Sequence, residues 1–111
     1  MAKTHEYLGT KATSLHPYGH RKEIALYIKE KSGGRFLVER HNEYYNRSTK
    51  SWKTKQELKD AIRKLDSITE KGLSHIGLDV NHCPKGFRKS DAVAVHTCVR
   101  ESADKYYPFR R

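Results

Sequence analysis

Thr54-Lys55-Gln56-Glu57, followed by Leu58, Ala61, Ile62, Leu65 and Ile68, leaves this chain the least structural choice. A Thr hydroxyl that accepts from an orphan first-turn amide, with a Glu three residues on reaching back, is a capping box. The apolar positions behind it recur at i, i+3, i+4, i+7 and i+10, one stripe at helical period. Asp60 and Lys64 stand four apart in the favourable order. Lys71 and Gly72 supply a basic last turn and a stop. The pattern predicts one helix over about residues 55–70, its stripe packed on one face of a sheet.

The sheet is predicted on both sides of that helix. Glu23–Glu30 alternates, with Ile24, Leu26 and Ile28 on one face and Ala25, Tyr27 and Lys29 on the other, although Lys, Glu and Leu also suit a helix. Lys31-Ser32-Gly33-Gly34 offers residues that tolerate positive φ, as a tight hairpin requires. Arg35–Tyr45 then reads as the return strand, Asn46–Lys50 as a polar turn, and Ser51-Trp52-Lys53 as a short third strand with Trp52 turned to the core. Beyond Gly72, Leu73–Val80 alternates, Asn81–Ser90 reads as a loop and Asp91–Glu101 as the strongest strand. The tail from Lys105 to Arg111 is aromatic and basic. Residues 1–22 lack clean periodicity, and His16-Pro17-Tyr18-Gly19-His20 reads as a turn, so they are expected to be an N-terminal arm or loop. Residues 23–111 are then a single α+β domain: a small antiparallel sheet of about five strands with one main helix.

A chain of 111 residues supports one core and little more. Its 23 Lys and Arg outnumber 13 Asp and Glu, a net charge of +10. A field of that sign attracts polyanions, of which nucleic acid is the commonest. No apolar run approaches a membrane span, and the N-terminus lacks the apolar core of a secretory signal. Neither the number nor the spacing of Cys83 and Cys98 suggests a disulfide framework. The expectation is a cytoplasmic protein with reduced thiols.

Arg47, Lys50, Lys53 and Lys55 lie between Glu43 and Glu57 with no acid among them, and Tyr27, Arg35, Tyr44 and Tyr45 stand on the preceding strands. Lys and Arg neutralise phosphate, and tyrosine stacks on unpaired bases or simply packs. The competing reading is a solvated loop beside a half-buried Tyr pair.

Ile24-Ala25-Leu26-Tyr27-Ile28, Gly33-Gly34-Arg35-Phe36-Leu37-Val38 and Trp52-Lys53-Thr54-Lys55-Gln56-Glu57-Leu58 together resemble the arm-type DNA-binding domain of tyrosine recombinases. That family is a three-stranded sheet plus helix similar to plant AP2 domains. The resemblance covers residues 24–65, and it implies DNA read by the sheet through Lys29, Arg35, Arg40, Arg47 and Lys53. The chain departs from the family at Leu58, where a small Ala usually follows the acid, in having a second β unit after the helix, and in lacking a catalytic recombinase domain.

Other chemistries are poorly supplied. His82, Cys83, His96 and Cys98 are zinc-type ligands, but no CxxC knuckle is present and adjacent His82 and Cys83 are poor ligand spacing. His41-Asn42, Asn81-His82 and His96 lack the order of an HNH nuclease, and Cys83 before Pro84 has no activating helix start. No GxSxG, P-loop or GxGxxG occurs. The expectation is a small, basic, non-catalytic nucleic-acid-binding protein without a cofactor. Its contacts would come from Lys29, Arg35, Arg40, Tyr44, Tyr45, Arg47, Lys50, Lys53 and Lys55. The alternative is a protein-binding inhibitor or adaptor, such as a phage or mobile-element effector acting on a larger, nucleic-acid-handling or acidic host protein.

Overall fold

The computed structural model describes residues 2–15, 21–42, 45–89 and 96–103. In chain order these are β1 (Ala2–Leu15), β2 (Arg21–Ser32), β3 (Arg35–Asn42), β4 (Arg47–Lys53), α1 (Lys55–Arg63), β5 (Ser67–Thr69), α2 (Glu70–His75), β6 (Phe87–Lys89) and β7 (His96–Arg100), with a 3-10 turn at Glu101–Ala103. The strands form one antiparallel sheet in the order β4-β3-β2-β1-β5-β7-β6. The expectations on Tyr44, on the His16–His20 turn and on the Lys105–Arg111 tail lie outside the described residues.

Among the described residues, seven strands replace the expected five or so. The first addition is β1, which occupies residues read from the sequence as an arm or loop and stands between β2 and β5 at the middle of the sheet. Its pairing with β2 slips at Lys3/Glu6, Tyr7/Gly9 and Ala12/Ser14. Each bulge inverts the alternation beyond it, so no period of two survives in the sequence. The second is β5, cut from what the apolar stripe predicted as helix. The third is β6, within the predicted loop. Conversely, the alternating stretch from Leu73 to Val80 holds the end of α2 and turns rather than a strand.

The capping box is present as read: Thr54 Oγ1 accepts from Glu57 N at 3.2 Å, and Thr54 N donates to Glu57 Oε1 at 2.9 Å. Those bonds hold the Glu57 carboxyl below its usual range, with Lys53 and Arg35 adding to the effect. The helix nevertheless ends at Arg63 instead of near residue 70. The chain turns there because Asp66 N donates to Thr10 O at 2.9 Å, drawing Ser67–Thr69 into the sheet between β1 and β7. Leu58, Ile62, Leu65 and Ile68 are all buried, so the stripe reported burial correctly while helix gave way to strand at its end. Thr69 starts α2, its Oγ1 accepting from Gly72 N at 3.1 Å and donating to Tyr7 O at 2.7 Å.

Both helices cover one face of the sheet. Leu8, Leu26, Ile28 and Val38 from the strands meet Leu58 and Ile62 of α1 and Leu73 of α2 in one cluster. Glu6 ties α2 to the strands, 2.7 Å from Lys31 Nζ and 3.0 Å from His75 Nε2. Partial burial alone would raise the Glu6 carboxyl, but the bonds from Lys31 and His75 outweigh it and hold the group below its ordinary value. Among the described residues no helix is long and apolar enough to cross a membrane.

The expected free thiols are instead a disulfide between Cys83 and Cys98, 15 residues apart. The turns after α2, held by His82 N to Asp79 O and Phe87 N to Pro84 O, carry Cys83 back to β7, where Cys98 is fully buried. The cytoplasmic expectation leaned on reduced thiols, and that ground is gone. A closed loop of this length contributes about 3 kcal/mol. Reduction is therefore expected to lower the melting temperature by about 10 °C or more. Thermal unfolding with and without reductant, beside a Cys83→Ser/Cys98→Ser variant, checks this; equal midpoints would refute it.

Candidate nucleic-acid interface

The sheet leaves two surfaces for a partner. The first is the face of β1–β4 turned away from the helices. Cross-strand pairing places Tyr7, Tyr27, Glu39 and Lys50 in one row across these four strands, and Leu37 beside Trp52 in the next. His5 stacks on Tyr27 with ring centroids 4.8 Å apart, and Tyr7 lies 5.2 Å from the same ring. Lys29 Nζ donates to His5 Nδ1 at 2.9 Å. Trp52, predicted to point into the core, is 42% exposed. Alternation explains the reversal: Lys53 and Ser51 take the helix-side positions opposite Phe36 and Val38, which leaves Trp52 the outer face opposite Leu37.

β4 is one of the two edge strands among the described residues, and it is longer than predicted because the polar run after Asn46 pairs with β3 instead of forming a turn. Its charged residues are Arg47, Lys50 and Lys53, none of them in an ion pair with another described residue. Arg47 lies over the ring of Tyr45, 5.9 Å from its centroid, and Tyr45 is 55% exposed. Lys at the centre of an exposed edge also resists strand-to-strand aggregation, the bland role for such a charge.

The second surface is a groove of about 820 Å³ between α1 and the helix-side face of the sheet. Ile24, Leu26 and Leu65 contribute its apolar surface. Lys11, Arg40 and Lys53 line it from the strands, and Arg63 and Lys64 from the helix. Glu57 and Asp60 temper this charge, and the Asp66–Arg100 pair lines it as well. Asp66 is a junction that sequence reading missed. Its Oδ1 accepts from Arg100 Nε at 3.1 Å and its Oδ2 from Ala12 N at 3.0 Å. Arg100 Nη2 donates to Arg63 O and Leu65 O, each at 2.9 Å, closing the carbonyl end of α1. Phe87 lies under the same guanidinium, 4.5 Å from ring centroid to Cζ.

The residues singled out from the sequence thus divide. Lys29 and Lys50 lie on the open face, Tyr45 and Arg47 at the β3–β4 turn, Arg35 at the β2–β3 hairpin, and Lys55 on the exposed first residue of α1. Arg40 and Lys53 line the groove on the other side. The zinc alternative loses its sulfur ligands, since Cys83 and Cys98 are bonded to each other, and His82 Nδ1 is instead 2.7 Å from Asp79.

Compared with protein-family models, curated proteins and solved structures, the chain matches none.

The interface must therefore be weighed on its chemistry. Between residues 35 and 55 stand six cations and two acids, a local net charge of +4 on one hairpin and the start of one helix. These cations do not share one face, since Arg40 and Lys53 line the groove; cations of this kind are suited to phosphate, and the exposed rings of Tyr45 and Trp52 offer π-faces.

Proposed function

We propose that this protein binds nucleic acid without catalysing a reaction on it, neutralising phosphates through the β3–β4 hairpin and its flanks. The observation that carries the reading is the β4 edge, whose only charges are Arg47, Lys50 and Lys53, exposed or half-exposed and in no salt bridge with a described acid, although Lys50 stands opposite Glu39 and Lys53 near Glu57. Lys29, Arg35 and Lys55 extend the same positive field around it. The order of meander and capped helix over residues 21–63 is also that of the recombinase arm-type domain the sequence resembles, and this favours DNA.

Gel shifts with generic DNA and RNA are expected to show binding that falls steeply between low and moderate salt. Reversing Arg47, Lys50 and Lys53 together is expected to reduce the log–log salt slope by about three, near one per lost phosphate contact. The melting temperature should barely move for Arg47 and Lys50, which are exposed, and fall modestly for Lys53, which is half-buried near the Glu57 carboxylate. Absence of any binding at low salt overturns the proposal.

The groove favours a second reading, an inhibitor or adaptor for a larger protein. An apolar base walled by basic residues also suits an acidic peptide carrying apolar anchors. A stoichiometric, nuclease-resistant protein partner whose capture is lost in Arg40→Glu/Lys64→Glu would support it over the first.

A further inference from the structure

Trp52 is the chain's only tryptophan, and it stands 42% exposed on the face that no described helix covers. A single exposed apolar side chain is ordinary at a protein surface, so only the chemistry around the ring can point to an occupant. Leu37 stands opposite Trp52 in register on β3. Lys50 lies two residues away on the same strand and the same face, and Lys29 reaches that face from β2. Two acids stand in these rows: Glu39 pairs in register with Lys50 on the Tyr27 side, and Glu30 pairs with Leu37 on the side away from Trp52, so neither lies between Lys50 and Trp52.

We infer that Trp52 is a stacking platform for an unpaired base, and that the protein's target is single-stranded nucleic acid. This rests on the nucleic-acid reading and narrows it. In a duplex the base faces are already stacked on one another, and a protein reaches only base edges and phosphates. An indole has one N–H donor and no acceptor, so it reads a base edge poorly. It does offer a face, and every base has a complementary one. With Lys50 beside it, a strand laid along β4 puts a phosphate on the ammonium while the neighbouring base covers the indole. Tyr45, exposed in the turn that precedes β4 and 5.9 Å from Arg47, repeats the pairing of ring and cation beyond the far end of the strand.

The lone indole makes the test direct. An oligothymidine of about 12 nucleotides, a length spanning typical single-strand sites, is labelled with fluorescein, and its anisotropy and Trp52 emission are followed in parallel titrations at low salt. The same titrations are run with the hybridised duplex and with poly-glutamate. Expected are saturable anisotropy and quenching of Trp52 emission with the unpaired strand, and little quenching with the duplex. Trp52→Ala should weaken binding of the unpaired strand about tenfold or more, while Trp52→Phe, which keeps a ring, should restore most of it. Circular dichroism and melting of each variant separate a folding defect from a binding one. Anisotropy that rises without quenching, or equal affinity of native and Trp52→Ala protein, overturns the stacking role while leaving nucleic-acid binding in place. No anisotropy change with either nucleic acid overturns both, and quenching by poly-glutamate alone assigns the face to an acidic protein.

Discussion

Gly9→Ala is expected to cost about 4 kcal/mol or more, a large part of the margin that holds a domain of this size folded. Gly9 sits at the bulge of the central strand, with a φ of +142° that L side chains rarely adopt. It pairs with Leu26 on one side and Ile68 on the other. A Cβ built there collides with Ser67 O, a backbone atom fixed by its place in the sheet, and comes within 3.1 Å of Ile68 Cα and Leu65 Cδ1. The Leu65 side chain can shift, but neither backbone atom can move without unpairing β5. Two other glycines set the scale. Gly33 has a φ of +55° but open space around it, so alanine should cost only about 1 kcal/mol from backbone strain. Gly72 is helical, and its Cβ would meet Leu8 O at 2.5 Å; the clash exceeds the gain in helix propensity, so an intermediate loss of about 2 kcal/mol is expected. Urea unfolding of the three variants checks the ranking, and a Gly9→Ala midpoint equal to that of Gly33→Ala would contradict it.

The same strand shows where sequence reasoning stops. Features closed within a few residues were legible: the Thr54–Glu57 box, the Gly33-Gly34 hairpin, and the buried identities of Leu26, Ile28, Val38, Leu58 and Ile62. Each depends on neighbours one turn or one hairpin away. What was not legible depends on partners far along the chain. β1 reads as irregular because its alternation is reset at three bulges, and those are fixed by β2 and β5. The helical stripe runs past Arg63 because periodicity reports which side chains are buried, and a strand between two others buries Ile68 as well as a helix would. Trp52 was misassigned because a three-residue strand has no second apolar position to fix its phase. Once β4 begins at Arg47, pairing with Val38 and Phe36 fixes it. The candidate interface divided for the same reason. Arg40 and Lys53 read as members of one basic cluster with Lys29 and Lys50, yet the pleat sends the two pairs to opposite sides of the sheet. The disulfide had no local signal at all, since it joins a turn to a strand 15 residues on.

Asp66→Ala is expected to cost about 3 kcal/mol, the second largest effect of any single substitution proposed for this chain. Asp66 lies where the chain leaves α1 and enters the sheet, and only 12% of its side chain is accessible. Alanine strands the Ala12 N–H, which is buried and has the carboxylate as its acceptor. It also removes the counter-ion of Arg100, whose guanidinium holds the last carbonyls of α1. The Arg100 side chain is 31% accessible, so water recovers part of that loss, and the stranded amide dominates. Asp66→Asn keeps an oxygen for Ala12 N but turns its NH2 toward Arg100 Nε, losing that acceptor along with the charge; the buried amide stays satisfied, so about half the cost is expected. Arg100→Lys loses the planar fork that serves Arg63 O, Leu65 O and Asp66 together, and an effect of about 1–2 kcal/mol follows. Because the two side chains act as one unit, Asp66→Ala/Arg100→Ala should cost less than the sum of its single changes, by about 1 kcal/mol in a double-mutant cycle followed by urea unfolding. Additive losses would mean that the pair is not the junction holding α1 to the sheet. The junction also lines the groove, so these variants separate the two surfaces. If the partner lies on the open face beside Trp52, Asp66→Asn should leave binding intact wherever the fold persists; if it lies in the groove, affinity should fall with the loss of that pair.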